Sequence, residues 1–111
     1  MEIEREFLKG SISLLLLNLL SRGEMYGYEI ARAVKIVTRD SLSLGEGVLY
    51  PALHAMEARG LVRARSARAD GRVRIYYSLT AQGKKRLARL TLDWRRTSQS
   101  VDSILGSPSR G

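Results

Sequence analysis

Cysteine is absent from the sequence and histidine occurs once, as His54. Disulfides and thiolate metal sites are therefore excluded, a lone imidazole cannot build a metal centre, and the redox compartment leaves no trace. No pair of carboxylates falls close together on a buried face. With neither thiol nor acid pair, the ingredients of nucleophilic or metal-assisted catalysis are missing, and the expectation is a protein that is not an enzyme and needs no cofactor. Long apolar runs are lacking as well. The most apolar stretch, Leu14 to Leu20, is far shorter than the ~20 residues that span a bilayer. It follows the acidic start Glu2, Glu4 and Glu6, whereas a secretory signal opens on a basic region. A cytoplasmic chain with no membrane partner is expected.

Acid is the scarcer charge. Lys and Arg number 19 against 11 Asp and Glu, which gives a formal net charge of +8 and an isoelectric point near 10.4 in 111 residues. A chain of that size forms one domain with at most an appended element. An excess of base this large favours a polyanion such as nucleic acid as partner.

The stretch Gly45 to Val62 organises the rest. Leu49, Ala52, Leu53 and Met56 recur at i, i+3, i+4 and i+7, the spacing of one apolar helix face. The opposite face carries Gly47, Tyr50, Pro51 and His54, a surface suited to lying against a partner. Because Pro51 lacks an N–H and is tolerated near a helix start, a late start is expected, with Gly47 or Val48 as cap and Pro51 in the first turn. Gly60 ends the helix. Two helices precede it. One covers about Phe7 to Ser21, with Gly10 as its weak spot and leucines over most of its circumference, which implies burial on two sides, by the core and by a second subunit. The other spans Gly27 to Val37, with Ile30, Ala31, Val34 and Val37 inward.

Beyond Gly60 the apolar period changes from 3.6 to 2. Leu61 to Ser66 and Arg72 to Leu79 read as strands, and Asp70-Gly71 between them is a hairpin turn. Val73, Ile75, Tyr77 and Leu79 share the face expected to cover the core. Between Arg59 and Arg74 there are six arginines and one acid, Asp70, a local net charge of +5 on sixteen residues. A solvated face normally mixes signs; this one points to phosphate contact. Thr80 then caps a long helix in which Leu87, Leu90, Trp94, Thr97, Val101 and Ile104 follow heptad spacing apart from the polar Thr97. That seam would stay wet without a partner, so a homodimer is expected. The organisation read from these signals is mainly α with a small β-hairpin wing: a winged helix-turn-helix DNA-binding domain over 1–80, a dimerisation helix over 81–105 and a disordered tail over 106–111. A winged adaptor that binds protein rather than DNA is the other class carried by this order of elements.

Five stretches, which together cover roughly residues 7 to 90, resemble the PadR family of transcriptional regulators, and three groups within them stand out. They are Tyr26-Gly27-Tyr28-Glu29-Ile30-Ala31, the run Glu46-Gly47-Val48-Leu49-Tyr50-Pro51-Ala52-Leu53-His54, and Tyr76-Tyr77-Ser78-Leu79-Thr80-Ala81-Gln82-Gly83. The single carboxy-terminal helix is similar to the short-tailed branch of that family. The resemblance implies a dimeric repressor that binds a palindromic operator in double-stranded DNA through the third helix and the wing, released by a small molecule or another signal. One position departs from the family pattern: where a small hydroxyl residue often stands there is Val48, and Ser43 is the nearby candidate to replace that phosphate contact. The DNA-binding candidates are Ser43, Gly47, Val48, Tyr50, His54, Arg68, Arg72 and Arg74. Tyr50 reads equally as a packing residue between the second and third helices or as a phosphate contact; His54 reads as a solvated helix residue or a base contact. For the dimer interface the candidates are Leu15, Leu19, Leu87, Leu90, Trp94 and Val101. Trp94 is either an interface anchor or, as the resemblance implies, half of a slot with its symmetry mate for a flat aromatic effector, flanked by Leu15 or Leu19.

Overall fold

The structure, a computed structural model, describes residues 8–106. Phe7 and most of the expected tail, residues 107–111, lie outside the described residues. Four principal helices and a three-stranded antiparallel sheet follow in the order α1 (Ile12–Ser21), β1 (Met25–Tyr26), α2 (Gly27–Val37), α3 (Glu46–Ala58), β2 (Val62–Ala69), β3 (Arg72–Leu79) and α4 (Ala81–Leu105).

The first helix starts later than its leucines suggest. Gly10 and Ser11 form a turn in which both the N–H and the hydroxyl of Ser11 donate to the Leu8 carbonyl, at 2.9 and 3.0 Å. Glycine's conformational freedom disfavours helix there, and a serine hydroxyl that finds a local carbonyl stabilises the break. From Ile12 onward Leu16, Leu17, Leu19 and Leu20 are buried. Within one chain α1 touches β3, α2, α3 and α4, so much of its second apolar side is met by α4.

The second helix occupies the expected residues. Its first turn is tied by the Tyr26 N–H, which donates to the Glu29 carboxylate at 3.1 Å. This acid three residues into the helix satisfies a donor that has no intrahelical partner.

The third helix corrects the proline argument. Its cap is Gly45, and Pro51 stands inside the helix rather than in its first turn. The tertiary context overrides the local rule. Leu44 and Leu49 occupy the two positions of a hydrophobic staple and both are buried, which fixes the chain's entry angle. The Gly45 carbonyl accepts from both Val48 and Leu49, at 3.1 and 2.9 Å. At the other end the Gly60 N–H donates to Glu57 and the Leu61 N–H to Met56, each at 2.9 Å. Gly60 sits at φ +76°, the left-handed residue this pair of bonds requires.

The hairpin is longer than expected: β2 runs to Ala69 and pairs with β3 from Val62↔Leu79 to Ala69↔Arg72. Asp70 and Gly71 both have positive φ, 53° and 75°, as a two-residue turn matched to strand twist demands. The sheet order is β1-β3-β2, with Met25↔Tyr77 and Tyr26↔Tyr76 joining β1 to the centre. Of the expected core-facing residues of β3, Tyr77 is buried and Leu79 packs against the core, but Val73 and Ile75 remain 62% and 42% exposed. The alternation is as read; the hairpin simply extends beyond the helices that would cover it.

Gly27 explains an interhelical contact. A side-chain carbon at that position would overlap the hydroxyl and ring of Tyr50, so the tyrosine of α3 lies directly on the first residue of α2. Gly27→Ala is expected to destabilise the protein by about 2 kcal/mol, as overpacking does. In a Tyr50→Leu background the same change should cost less than about 1 kcal/mol. Urea unfolding of the four proteins measures the coupling; equal costs in both backgrounds would refute the contact.

Candidate nucleic-acid interface

The inner side of α3 buries Leu49, Leu53 and Met56, while Gly47, Pro51, His54, Ala55 and Ala58 are exposed. Its outer surface is therefore flat and nearly uncharged along its middle. Ser43 is exposed just ahead of the cap, but Val48 is half-buried against the core rather than on the outer face. A hydroxyl at 48 would sit against the core, so its absence removes little from the outer surface. Tyr50 performs the packing role; its hydroxyl has no hydrogen-bond partner among the described residues. His54 stands one turn further along, with its ring centroid 6.4 Å from that of Tyr50.

The strand register sorts the wing arginines by face. Arg68 lies opposite Val73 and shares their side with Ile75, while Arg63, Arg65, Arg72 and Arg74 alternate onto the other side with Tyr76. On that second side two arginines are engaged. Arg65 reaches across Tyr76, 5.1 Å from its ring centre, and grips the Glu24 carboxylate with two bonds of 2.7 and 2.5 Å. Arg74 stacks over Tyr26 at 4.5 Å and has the Asp70 carboxylate 3.9 Å away. Tyr26 in turn meets Tyr76 edge-on, with centroids 5.5 Å apart. Bidentate pairing and stacking suit the planar guanidinium. Their effect is to hold the base of the wing to β1 and to the start of α2. Arg63, Arg68 and Arg72 are exposed with no acidic partner among the described residues. The local charge count thus overstates how many free cations the wing presents: Arg65 is neutralised by Glu24, and Arg74 is fixed over Tyr26.

The hydrogen bond from Arg65 holds the Glu24 carboxyl below the usual carboxylate range, and the same bond raises Arg65 above its ordinary value. A depressed acid contributes stability that is present above its ordinary range and lost as pH falls through the lowered value. By carbon-13 NMR the Glu24 carboxyl is expected to titrate below the usual carboxylate range and to move back up in Arg65→Met. An unaltered titration in that variant would mean the grip does not form in solution.

Between α3 and β3 lies a cleft of about 350 Å³. Tyr50 and His54 line one wall, Val73, Arg74 and Ile75 the other, with Tyr26, Gly27 and Tyr77 behind. Burial pushes the Tyr77 phenol up, so it remains neutral.

The carboxy-terminal seam divides in two. Leu87 and Leu90 pack against the core of their own chain, and Leu19 is buried. Further along α4, Trp94 is 53% exposed, and Val101 and Ile104 project into solvent, Ile104 at 85%. Trp94 sits between two clefts: one of about 210 Å³ shared with Leu14, Leu15 and Leu19, and one of about 280 Å³ shared with Leu14 and Leu90. No helix among the described residues is long and apolar enough to cross a membrane.

Three helices followed by a hairpin on the flank of the third define a winged helix-turn-helix fold, extended by a long final helix. The profile described as the transcriptional regulator PadR-like family matches residues 16–89, and the chain belongs to that family of transcriptional regulators. It is 32% identical over 105 residues to a transcriptional regulator of Mycobacterium tuberculosis, covering 95% of this chain and 92% of that protein. A transcriptional regulator from Clostridium thermocellum superposes with a TM-score of 0.86 at 26% identity, over 91% of this chain and 99% of the other. A PadR family transcription regulator from Clostridium difficile gives 0.74 at 33% identity, over 86% and 99%.

Sequence reasoning missed Glu24, Tyr26, Arg65 and Tyr76 as a group. Their only signal was the pair of tyrosines on an alternating strand, and the partner strand β1 is two residues long, too short to show a period.

Proposed function

We propose that the protein is a sequence-specific DNA-binding repressor that acts as a homodimer in the cytoplasm. The observation that carries this reading is the wing itself: Arg63, Arg68 and Arg72 are exposed and without acidic partners among the described residues, beside a flat α3 surface that exposes Gly47, Pro51 and His54. Cations on a projecting hairpin supply phosphate affinity, and a flat helix face supplies fit to the major groove. The dimer follows from Trp94, Val101 and Ile104 on the distal half of α4, which would otherwise leave a line of apolar side chains in water. Two such chains related by a two-fold axis would place their α3 helices about one DNA turn, ~34 Å, apart on a palindrome. The clefts flanking Trp94 are the place for a flat aromatic effector, taken between the two indoles of the dimer.

Fluorescence anisotropy with duplexes tiling the DNA upstream of its own gene, repeated across a salt series, tests the reading. Binding is expected to weaken steeply with salt. Arg68→Ala with Arg72→Ala should weaken it further and flatten the log–log salt slope by about 3 to 4 for a dimer, close to one for each phosphate left unneutralised. An unchanged slope would remove the wing from the interface. Absence of any salt-sensitive binding would favour the adaptor class instead.

A further inference from the structure

We propose that the cleft between α3 and β3 seats one phosphodiester of the DNA strand that passes between the helix and the wing, held by His54 from one wall and by Arg74 and the open edge of β3 from the other. This deepens, and rests on, the DNA-binding reading above.

The geometry of the duplex sets the requirement. A helix in the major groove and a hairpin over the adjacent minor groove have one sugar–phosphate strand between them, because that strand is what separates the two grooves. Whatever lies between α3 and the wing must therefore accept an anion flanked by apolar sugar. The cleft of about 350 Å³ has both characters.

No carboxylate lines it among the described residues. His54 is exposed on the α3 wall, one turn from Tyr50, whose ring is fixed against Gly27 and whose hydroxyl is unpartnered among the described residues. On the other wall β3 has β1 as a neighbour at Tyr76 and Tyr77 alone. Its edge between Val73 and Ile75 thus carries main-chain groups with no strand beside them, and backbone N–H groups are regular phosphate donors. Arg74 alternates onto the outer side of the sheet, but its guanidinium lies over Tyr26, itself a cleft residue, at 4.5 Å. It is thereby held at the rim rather than swinging free. Asp70, the one acid within 4 Å of it among the described residues, is largely solvated and at 3.9 Å is a weak partner for that guanidinium. Val73 and Ile75, exposed beyond the core, match the deoxyribose rather than the phosphate. Their exposure, left where the hairpin extends past the helices, acquires a partner in this arrangement.

The proposal is tested by replacing each phosphate of a bound duplex from its own upstream DNA, one at a time, with an uncharged methylphosphonate. For the wild type, one phosphate per half-site is expected to stand out, its replacement weakening binding about tenfold. The double variant His54→Gln with Arg74→Gln, which empties the seat in both protomers, should bind the unmodified duplex about 100-fold more weakly and show no further weakening on that methylphosphonate. Arg72→Gln, at the wing tip, should weaken both duplexes alike and keep the tenfold step. Circular dichroism and urea unfolding check that the variants fold; should Arg74→Gln not fold, His54→Gln alone, at an exposed position, is expected to shrink the tenfold step to about threefold, and an unchanged step would overturn the seat. A tenfold step that persists in the double variant, or no phosphate that stands out, overturns the seat while leaving DNA binding intact. Failure of every duplex to bind in a salt-dependent way overturns the DNA-binding reading, and the seat with it.

Discussion

Gly83→Ala is expected to destabilise the protein by about 3 kcal/mol, more than a one-carbon addition at an exposed helix position ever does. Gly83 is the one buried residue of α4. A side-chain carbon there would run into the Leu61 carbonyl oxygen and the Leu79 side chain. The leucine could turn away; the carbonyl cannot, because it accepts the Thr80 N–H at 3.1 Å and belongs to the residue that closes α3. The Gly83 N–H donates to the Thr80 hydroxyl at 3.0 Å, and that hydroxyl donates to the Gly60 carbonyl at 2.7 Å. Moving α4 outward to admit a methyl group would stretch all of these bonds together, so the steric cost and the weakened cap add. Alanine normally improves a helix by about 1 kcal/mol over glycine, which makes the sign of the effect diagnostic. Lys84→Ala, next in sequence and exposed, should remain within about 0.5 kcal/mol of wild type. A Gly83→Ala protein as stable as wild type in urea would show that α4 does not approach the Leu61 carbonyl so closely.

Truncation after Leu90 is expected to give a folded monomer and to lower operator affinity by a factor of about 10² to 10⁴. The fold should survive because Leu87 and Leu90, the part of the seam that packs on its own chain, are retained. Trp94, Val101, Ile104 and Leu105, the exposed apolar part, are removed. The weaker binding comes from linkage: two half-sites bound by joined modules gain effective concentration that separate modules lack, with the same protein–DNA contacts. Multi-angle light scattering reads the mass and anisotropy the affinity. A dimer that survived truncation would place the main interface elsewhere, with Leu14 and the open side of α1 as the next candidate.

How much of this was legible in the sequence depends on range. Features decided within a few residues were readable: the bounds of α2, the Asp70-Gly71 turn, the Thr80 cap and the end of α3 at Gly60. The start of α3 was not, because the rule about Pro51 is local whereas the staple between Leu44 and Leu49 draws on the whole core. The arginine cluster was visible as a count, but charge arithmetic does not register that Arg65 is consumed by Glu24, forty-one positions away, or that Arg74 is stacked. Gly27 and Gly83 were visible as motif letters. Their necessity comes from Tyr50 and Leu61, which nothing in their own neighbourhoods announces. Leu19 and Leu87 were assigned interface roles and Val48, through the family resemblance, a DNA-facing one, and the packed chain turns each of them toward the core. The DNA-facing and dimer-facing roles of the remaining residues are proposals.

The Thr80 junction has a mechanical consequence. Thr80 is bonded at once to the end of α3, to Leu61 ahead of β2 and to the first turn of α4, with no soft linker between α3 and α4. The two therefore turn as one lever. At 1.5 Å per residue the 25 residues of α4 make an arm of roughly 37 Å. In the proposed dimer, a tilt of about 10° between paired arms would carry one α3 by about 6 Å relative to the other, nearly two base-pair steps at about 3.4 Å each. A ligand wedged beside Trp94 would need only that small angle to put the two halves of the protein out of phase with a helical repeat of DNA.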